Sequence, residues 1–569
     1  MITRVVLALA LTAPPVMTPD GGGTPPCPVS VPAGTTCAFL EVPERRDAPE
    51  RKIKVGYAVH VSTAKDRKPD PVVYMSGGPA SASMQLTGFL SQMFPDRDVV
   101  TVEQRGSKYS EPVLGCPETA EALLGQLRRP PADIAAAAGR CRARLREQGV
   151  DLRGYNTKEI AADVVALRRQ LGYESWNLFG VSYSTRVMMD VAAADPKGVR
   201  SVVLDSYLPE SVNWYDDAGR NLADTAAALG MKEAFDAATA RLNAKPAQVS
   251  TTDPILGKAF SARVSGDDLA TIMAEALHEA DVAAVAPAMI GALAKGHDEL
   301  LQPLADAVGE GLVSHEFGLY HAVQCQDEIP FNTFTPKSRL FTVNGDKAVC
   351  DAWQLPKAKP VNATTQAPVY VVGGQYDPTT PTRTTKPAAE ALPNARFEEF
   401  PRASHAVFLT SACARRKILE FVTDPAKNTA SPCPDDDDTA IRPGDLHVTG
   451  APYQISKSPW LAAPFALFAL VSLIQLVAGA LKGRALAAFG GLTGVAFAGL
   501  VGQSVYALAG RNETALAVGV PGTVAVYTWI AAASAVLTAA ALLRDRRWPQ
   551  STAAVIGAGF LVWWFTWFL

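Results

Sequence analysis

The sequence lacks an excess of either charge. Its 53 Lys plus Arg stand against 56 Asp plus Glu, a formal net charge of −3, which leaves no basic footprint for a phosphate backbone and excludes nucleic acid as a partner. It also lacks any C-x-x-C pair, and His321 near Cys325 stands alone, so no metal site is expected. The acidic run Asp435 to Asp438 lacks the ligand and glycine spacing of an EF-hand. Charge is missing altogether from four late stretches, 460–481, 485–508, 523–543 and 552–569. Each is close to the ~20 residues needed to cross hydrocarbon, and cysteine is missing from all four.

These absences divide the chain. The first 450 residues read as soluble and 460–569 as a four-helix transmembrane region in contact with lipid. The turns after the first and third stretches carry Lys482, Arg484, Arg544, Arg546 and Arg547, whereas the middle turn carries only Arg511. By the positive-inside rule the basic turns face the cytoplasm and everything before Trp460 lies outside the cell membrane. Residues 1–17, with Arg4 ahead of the apolar run Val5 to Leu11, have the outline of a signal peptide. The eight cysteines are all in the soluble part and fall into sequence-neighbour pairs, Cys27 with Cys37, Cys116 with Cys141, Cys325 with Cys350, and Cys413 with Cys433. Disulfides formed after export are expected. With no pair of ionisable residues inside the spans to suggest a transport path, anchoring is the expected role of the helices.

Within the soluble part, Ile53–Val61, Pro71–Met75, Asp98–Val102, Ser175–Phe179, Val199–Leu204, Pro368–Val372 and Ala395–Phe400 read as strands. Asn156-Thr157 caps a helix whose Ile160, Val164, Leu167 and Leu171 recur at helical spacing up to Gly172. Strands alternating with helices predict an α/β fold with a mostly parallel sheet. The core is assigned to 37–209 and 367–433. The Ala-rich interval 210–366 is expected to be an inserted helical cap, and 434–459 a solvated linker.

The chemistry centres on Gly180-Val181-Ser182-Tyr183-Ser184, between a predicted strand and helix. A serine on such a turn presents its hydroxyl at the helix N-terminus; Ser184 stands where the G-x-S-x-G pattern has its second glycine. An acid and then a histidine should follow along the chain. Asp377, past the strand at 368–372, and His405 fill those places, giving Ser182 as nucleophile, His405 as base and Asp377 as its orienting acid. Tyr183 N–H and the Ser76-Gly77-Gly78-Pro79 loop, with Gly78 as the chosen donor, are placed to hold an oxyanion.

The Gly77-Gly78-Pro79 turn, Glu103-Gln104-Arg105-Gly106 with Ser110, Gly180-x-Ser182-Tyr183, Asp377-Pro378-x-Thr380-Pro381 and the late His405 together resemble the proline-iminopeptidase and tripeptidyl-aminopeptidase branch of the α/β hydrolases. The resemblance spans roughly Cys37 to Cys433; Ala80, Lys108 and Ser184 depart from it, and the four helices lie outside it. It implies a serine exopeptidase that removes residues from a free N-terminus and uses neither metal nor organic cofactor. It also implies that the cap segment Gln324-Cys325-Gln326-Asp327-Glu328 holds the substrate α-ammonium through Asp327 or Glu328, a pairing of opposite charges that a water-poor cleft strengthens. The alternative is an esterase or lipase using the same triad on envelope or small acyl esters, since substrate choice lives in the cap.

Overall fold

A computed structural model describes residues 27–569 except 129, 254–257, 314, 336, 359–362, 427–432, 434–440, 442–443 and 545–547. The expected signal peptide, the run Asp435–Asp438, and Arg546 and Arg547 lie outside the described residues.

Eight strands form one sheet in the order β1 (Thr35–Arg45), β2 (Ala48–His60), β4 (Val99–Val102), β3 (Val72–Met75), β5 (Trp176–Val181), β6 (Val199–Asp205), β9 (Val369–Gly374) and β10 (Ala395–Phe400). The β1–β2 and β2–β4 pairings are antiparallel and the remaining five parallel. Strands β3, β4, β5 and β9 are buried at every position, which is why they read as unbroken apolar runs. β1 escaped the sequence reading. Its buried side, Leu40, Val42 and Glu44, is interrupted by Pro43 and ends on a carboxylate. The helix α1 (Thr157–Leu171) begins as expected, with the Asn156 side chain accepting from Glu159 N–H at 3.1 Å. It stops at Gly172, where φ is +74°. The helix α2 (Ser184–Ala194) follows β5.

Between β6 and β9 the chain inserts seven α-helices among the described residues, including α3 (Gly266–Ala276), α4 (Ala280–Ala294) and α5 (Phe317–Asp327). It also contains an unexpected antiparallel hairpin of β7 (Ala247–Asp253) and β8 (Lys258–Val264). These strands mix Ala, Ser and Thr with charged residues and bury only small or β-branched residues, Ala247, Val249, Thr251, Ala262 and Val264, which left no apolar run to find. The eight cysteines form the four sequence-neighbour bridges.

The last four helices, Pro459–Leu481, Ala485–Arg511, Gly522–Arg544 and Gln550–Phe568, are long and apolar enough to cross a membrane. Small residues let them pack: a Cβ on Gly491 would lie 2.3 Å from Leu476 N and 2.5 Å from Ser472 O, and Ser534 Oγ donates to Gly490 O at 2.7 Å. The described part of 434–459 differs from a solvated linker. There β11 (Leu446–Val448) pairs with β12 (Gly519–Pro521) from the turn between the second and third of these helices. Tyr453 donates from its hydroxyl to Asp306 at 2.6 Å.

Candidate active site

Ser182 leaves β5 at φ +57°, a left-handed conformation that a residue with a side chain adopts only where its surroundings enforce it. Ser182 N–H donates to Asp205 O at 2.9 Å. A Cβ on Gly180 would sit 2.8 Å from Ser184 O, so the first glycine of the motif is a steric requirement. Ser184 replaces the second without obstruction because its buried hydroxyl is used: it accepts from Val181 N–H at 2.7 Å and donates to Met75 O at 2.6 Å. The elbow is thereby tied to the end of β3.

Asp377, past the end of β9, is buried and fully engaged. Its Oδ1 accepts the N–H groups of Thr379 (2.8 Å) and Thr380 (2.9 Å), and its Oδ2 accepts from Thr380 Oγ1 (2.6 Å) and lies 2.8 Å from His405 Nδ1. Burial alone pushes this carboxyl up, but the charge and hydrogen bond of His405 and the Thr380 donors outweigh it and hold Asp377 well below the usual carboxylate range. Burial likewise works against the His405 imidazolium, and Asp377, followed by Asp205 and Glu279, reverses it, so His405 is raised.

The sequence reading missed the corner that holds these groups. Asp205, at the end of β6, accepts Val407 N–H (2.9 Å) and Phe408 N–H (2.8 Å) through its carboxylate, while Ser206 Oγ accepts Ala406 N–H at 2.9 Å. The Asp205 carbonyl takes Ser182 N–H, so one residue positions both the serine turn and the histidine loop. Burial pushes its carboxyl up to about 6 despite those donors. A carboxylate ending an apolar β-branched run was the available signal. No hydrogen bond joins Ser182 Oγ to His405 among the described residues, a contact that commonly tightens only when substrate binds.

The Gly-Gly-Pro loop is shaped by the Glu-Gln-Arg motif. Gln104 donates to Ser76 O (2.9 Å) and Gly77 O (2.8 Å) and accepts from Ala80 N–H (3.0 Å). Glu103 accepts from Ser83 and Met84 N–H at 2.9 and 2.8 Å. Arg105 is buried and bidentate to Asp163, both contacts at 2.7 Å, and anchors the segment. Ser76 N–H is taken by Ser83 Oγ and Ser81 N–H by Gly77 O, which leaves Gly77, Gly78 and Tyr183 N–H without protein acceptors among the described residues. Gly78 has φ +102°. Gly77, which the sequence reading passed over, is nearer the serine: a Cβ there would be 2.7 Å from Ser182 Cβ and 3.3 Å from its Oγ. Ala80 takes φ +79°, which accounts for the glycine usual at that place.

The two cap carboxylates sit side by side but differently. Glu328 is ion-paired with buried Arg186 and accepts Trp214 N–H at 3.2 Å. Asp327 Oδ2 accepts Thr157 N–H and Thr157 Oγ1, both at 2.7 Å, and Thr157 Oγ1 is 2.9 Å from the Tyr183 hydroxyl. Both line a cleft of about 640 Å³, together with Asp190 of α2 and Glu210. Ser182, Asp377 and His405 are not among its lining residues; the chain Tyr183–Thr157–Asp327 connects it to the serine turn. Asp190 is 6 % exposed and its Oδ1 has no hydrogen-bond partner. Burial, then the charges of Glu210 and Asp327, push its carboxyl up to about 7. Burial pushes Asp327 up to about 6 against the Thr157 donors and Arg186.

The parallel-rich sheet, the serine on its strained turn and the acid-paired histidine define a serine hydrolase of the α/β-hydrolase fold. Residues 70–252 match the family described as alpha/beta hydrolase fold, and 340–435 the family described as TAP-like protein. The two matches hold the serine turn and the acid and histidine respectively, and leave 253–339, with Asp327 and Glu328, outside. Serine protease Hip1 of Mycobacterium tuberculosis is 23% identical, over 62% of this chain and 78% of that protein, and so is its Mycobacterium bovis counterpart. Among solved structures, proline iminopeptidase from Mycobacterium smegmatis is 17% identical with a TM-score of 0.34, covering 68% of this chain and 98% of its own. A thermophilic esterase from Thermogutta terrifontis is 14% identical with a TM-score of 0.32, covering 68% and 98%.

Proposed function

We propose that the chain is a membrane-held serine exopeptidase that removes residues from the free N-terminus of peptides on the outer side of the membrane. In this reading Ser182 Oγ attacks the scissile carbonyl as His405 Nε2 takes its proton, with the imidazolium stabilised by Asp377. The oxyanion is met by N–H groups of Tyr183 and of Gly77 or Gly78. His405 then delivers the proton to the leaving amine, and water releases the acyl-enzyme by the same steps in reverse.

The observation that carries the exopeptidase reading is the group of carboxylates beside α2, in a cleft that is also lined by Lys158, Lys357 and by Arg45, Arg46 and Arg153, the three arginines each already paired with a carboxylate. A buried carboxylate oxygen without a donor, Asp190 Oδ1, belongs to a residue that lines a space shared with Asp327 and Glu210. A substrate ammonium there would relieve their mutual repulsion and pair with the least satisfied charge in the region. Along α2, Asp190 stands six residues beyond Ser184, roughly 9 Å at 1.5 Å per residue, which is within reach of a short peptide whose scissile bond lies at Ser182. The outer location is supported by the four disulfides and by the turns carrying Lys482, Arg484 and Arg544, which sit a helix length away from the turn that pairs with β11.

The test is kcat/KM for a peptidyl amide with free and with acetylated N-terminus, on wild type and on Asp190→Asn and Asp327→Asn. Acetylation and each substitution should cost about 2–5 kcal/mol, because either leaves a buried charge unpaired. Equal turnover of the two substrates would reject the exopeptidase and leave an esterase or endopeptidase.

A further inference from the structure

The membrane region meets the inserted helices at α4. Asn512, at the end of the second span, donates from Nδ2 to Asp281 O at 2.9 Å and accepts Ala515 N–H on Oδ1 at 3.1 Å. Leu508, Ala515 and Val518 are buried in the same apolar core as Val285, Ala286 and Met289 of α4. Three residues before Asp281, in the turn between α3 and α4, is His278. Its ring lies against that of His405, with centroids 4.8 Å apart and planes inclined by 42°. His278 Nε2 is hydrogen-bonded to Thr379 Oγ1, and Thr379 N–H donates to Asp377 Oδ1. The preceding carbonyl, Leu277 O, accepts the hydroxyl of Ser404. Two consecutive residues therefore grip both the acid loop and the histidine loop.

We propose that His278 is a positioning residue for His405, and that the docking of Asn512 to Val518 on α4 holds it in place, so that the four-helix region completes the active site as well as anchoring it. The inference rests on His405 as the base and is independent of whether the substrate is a peptide. His278 suits the task because it can be neutral when its neighbour is charged: burial, then the charge on His405, holds it well below the usual histidine range. The groups facing it are Glu275, 3.7 Å from Nδ1, with Asp377, His405 and His315 around it. Glu279 is the next residue along the turn. A neutral ring covering one face of His405 excludes water from it and restrains rotation about its bond to Asp377.

The experiment uses the full chain in detergent and the rate at which a fluorophosphonate acylates Ser182 as pH is varied, for wild type, His278→Ala, His278→Gln, Asn512→Ala and the double variant His278→Ala/Asn512→Ala. His278→Ala should react roughly tenfold more slowly, on the scale of a misplaced general base. Its acid limb should move up as water reaches and stabilises the imidazolium. His278→Gln, which keeps a hydrogen-bonding group for Thr379, should recover part of the rate. Asn512→Ala should slow the reaction about threefold, on the scale of one lost hydrogen bond, with the limb displaced the same way. If Asn512 acts through His278, the double variant will be no slower than His278→Ala. Wild-type rate and limb in His278→Ala, or single effects that multiply in the double variant, would overturn the proposal. Should His278→Ala not fold, His278→Gln takes its place in the same cycle. Failure of the peptide test above would leave these labelling rates untouched, so the two readings fail separately.

Discussion

The serine corner and the cleft beside α2 both bury carboxylates, and they treat them in opposite ways. Asp377 and Asp205 are surrounded by donors from their own chain, while Asp190 has a buried oxygen with none. The corner also concentrates backbone strain, with Ser182, Ser206 and Ala406 all at positive φ, and the hydrogen bonds around Asp205 are what maintain it. A site complete in its own hydrogen bonds is organised to do chemistry; a site with an unmatched charge is organised to receive one.

The sharpest break of this contrast is chemical. Ser182→Ala should lose about 10⁶ in kcat while the cleft is unchanged, so a free-amine product should still bind; its binding can be followed by calorimetry on the dead variant. Retention of a tenth of the activity would remove Ser182 from its role. Asp377→Asn keeps the shape but lets His405 take the wrong tautomer, and should cost about 10⁴ in kcat, again without changing product affinity.

The next effect is on stability against pH, where Asp377 and the cleft carboxylates have opposite signs, Asp205 of the corner going with the cleft. Asp190, raised to about 7, and Asp327, raised to about 6, bind protons more tightly in the folded protein than in the unfolded chain. Their contribution is present at low pH and is lost as pH rises from about 4 through those values. Asp377 is depressed, so its contribution is present above about 4 and is lost as pH falls. The stability contributed by Asp190 and Asp327 should therefore fall on the order of a few kcal/mol between pH 5 and pH 8, read as a lower thermal midpoint, and Asp190→Asn should flatten that drop. An amine product should raise the midpoint more at the higher pH, where the carboxylates are charged. An unchanged slope in Asp190→Asn would show that the cleft carries no such strain.

What the sequence made readable follows the same division. Ser182 and Asp377 could be ordered because each follows a strand of unbroken apolar residues, His405 because it comes after both in the chain order of the fold, and the disulfides and long apolar helices could be placed because their residue types are sparse or continuous. Asp190 was missed although it stands in Val187-Met188-Met189-Asp190-Val191, where a single acid in an apolar helical run marks a buried charge. Asp205 was missed because its work is done by loops 200 residues later, a distance no local pattern spans. His278 lay in Ala-rich helices with no motif, and its meaning comes only from the ring it faces.

The smallest effect concerns a hydroxyl that joins the two regions. Thr157 Oγ1 touches Tyr183 OH at 2.9 Å and Asp327 Oδ2 at 2.7 Å, and Thr157→Val removes it at nearly constant volume while the backbone N–H still reaches Asp327. Losing these side-chain hydrogen bonds should cost about 1–2 kcal/mol of stability, read as a lower urea midpoint at constant slope. With one donor fewer, Asp327 should titrate higher, so affinity for a free-amine substrate should weaken, most of all at mildly acidic pH. The serine turn keeps its links to Asp205 and Met75, so fluorophosphonate labelling should be unchanged. A rise in KM with labelling preserved would make Thr157 a support of the cleft alone; slower labelling would mean that corner and cleft are one mechanical unit, and the contrast between them would have to be given up.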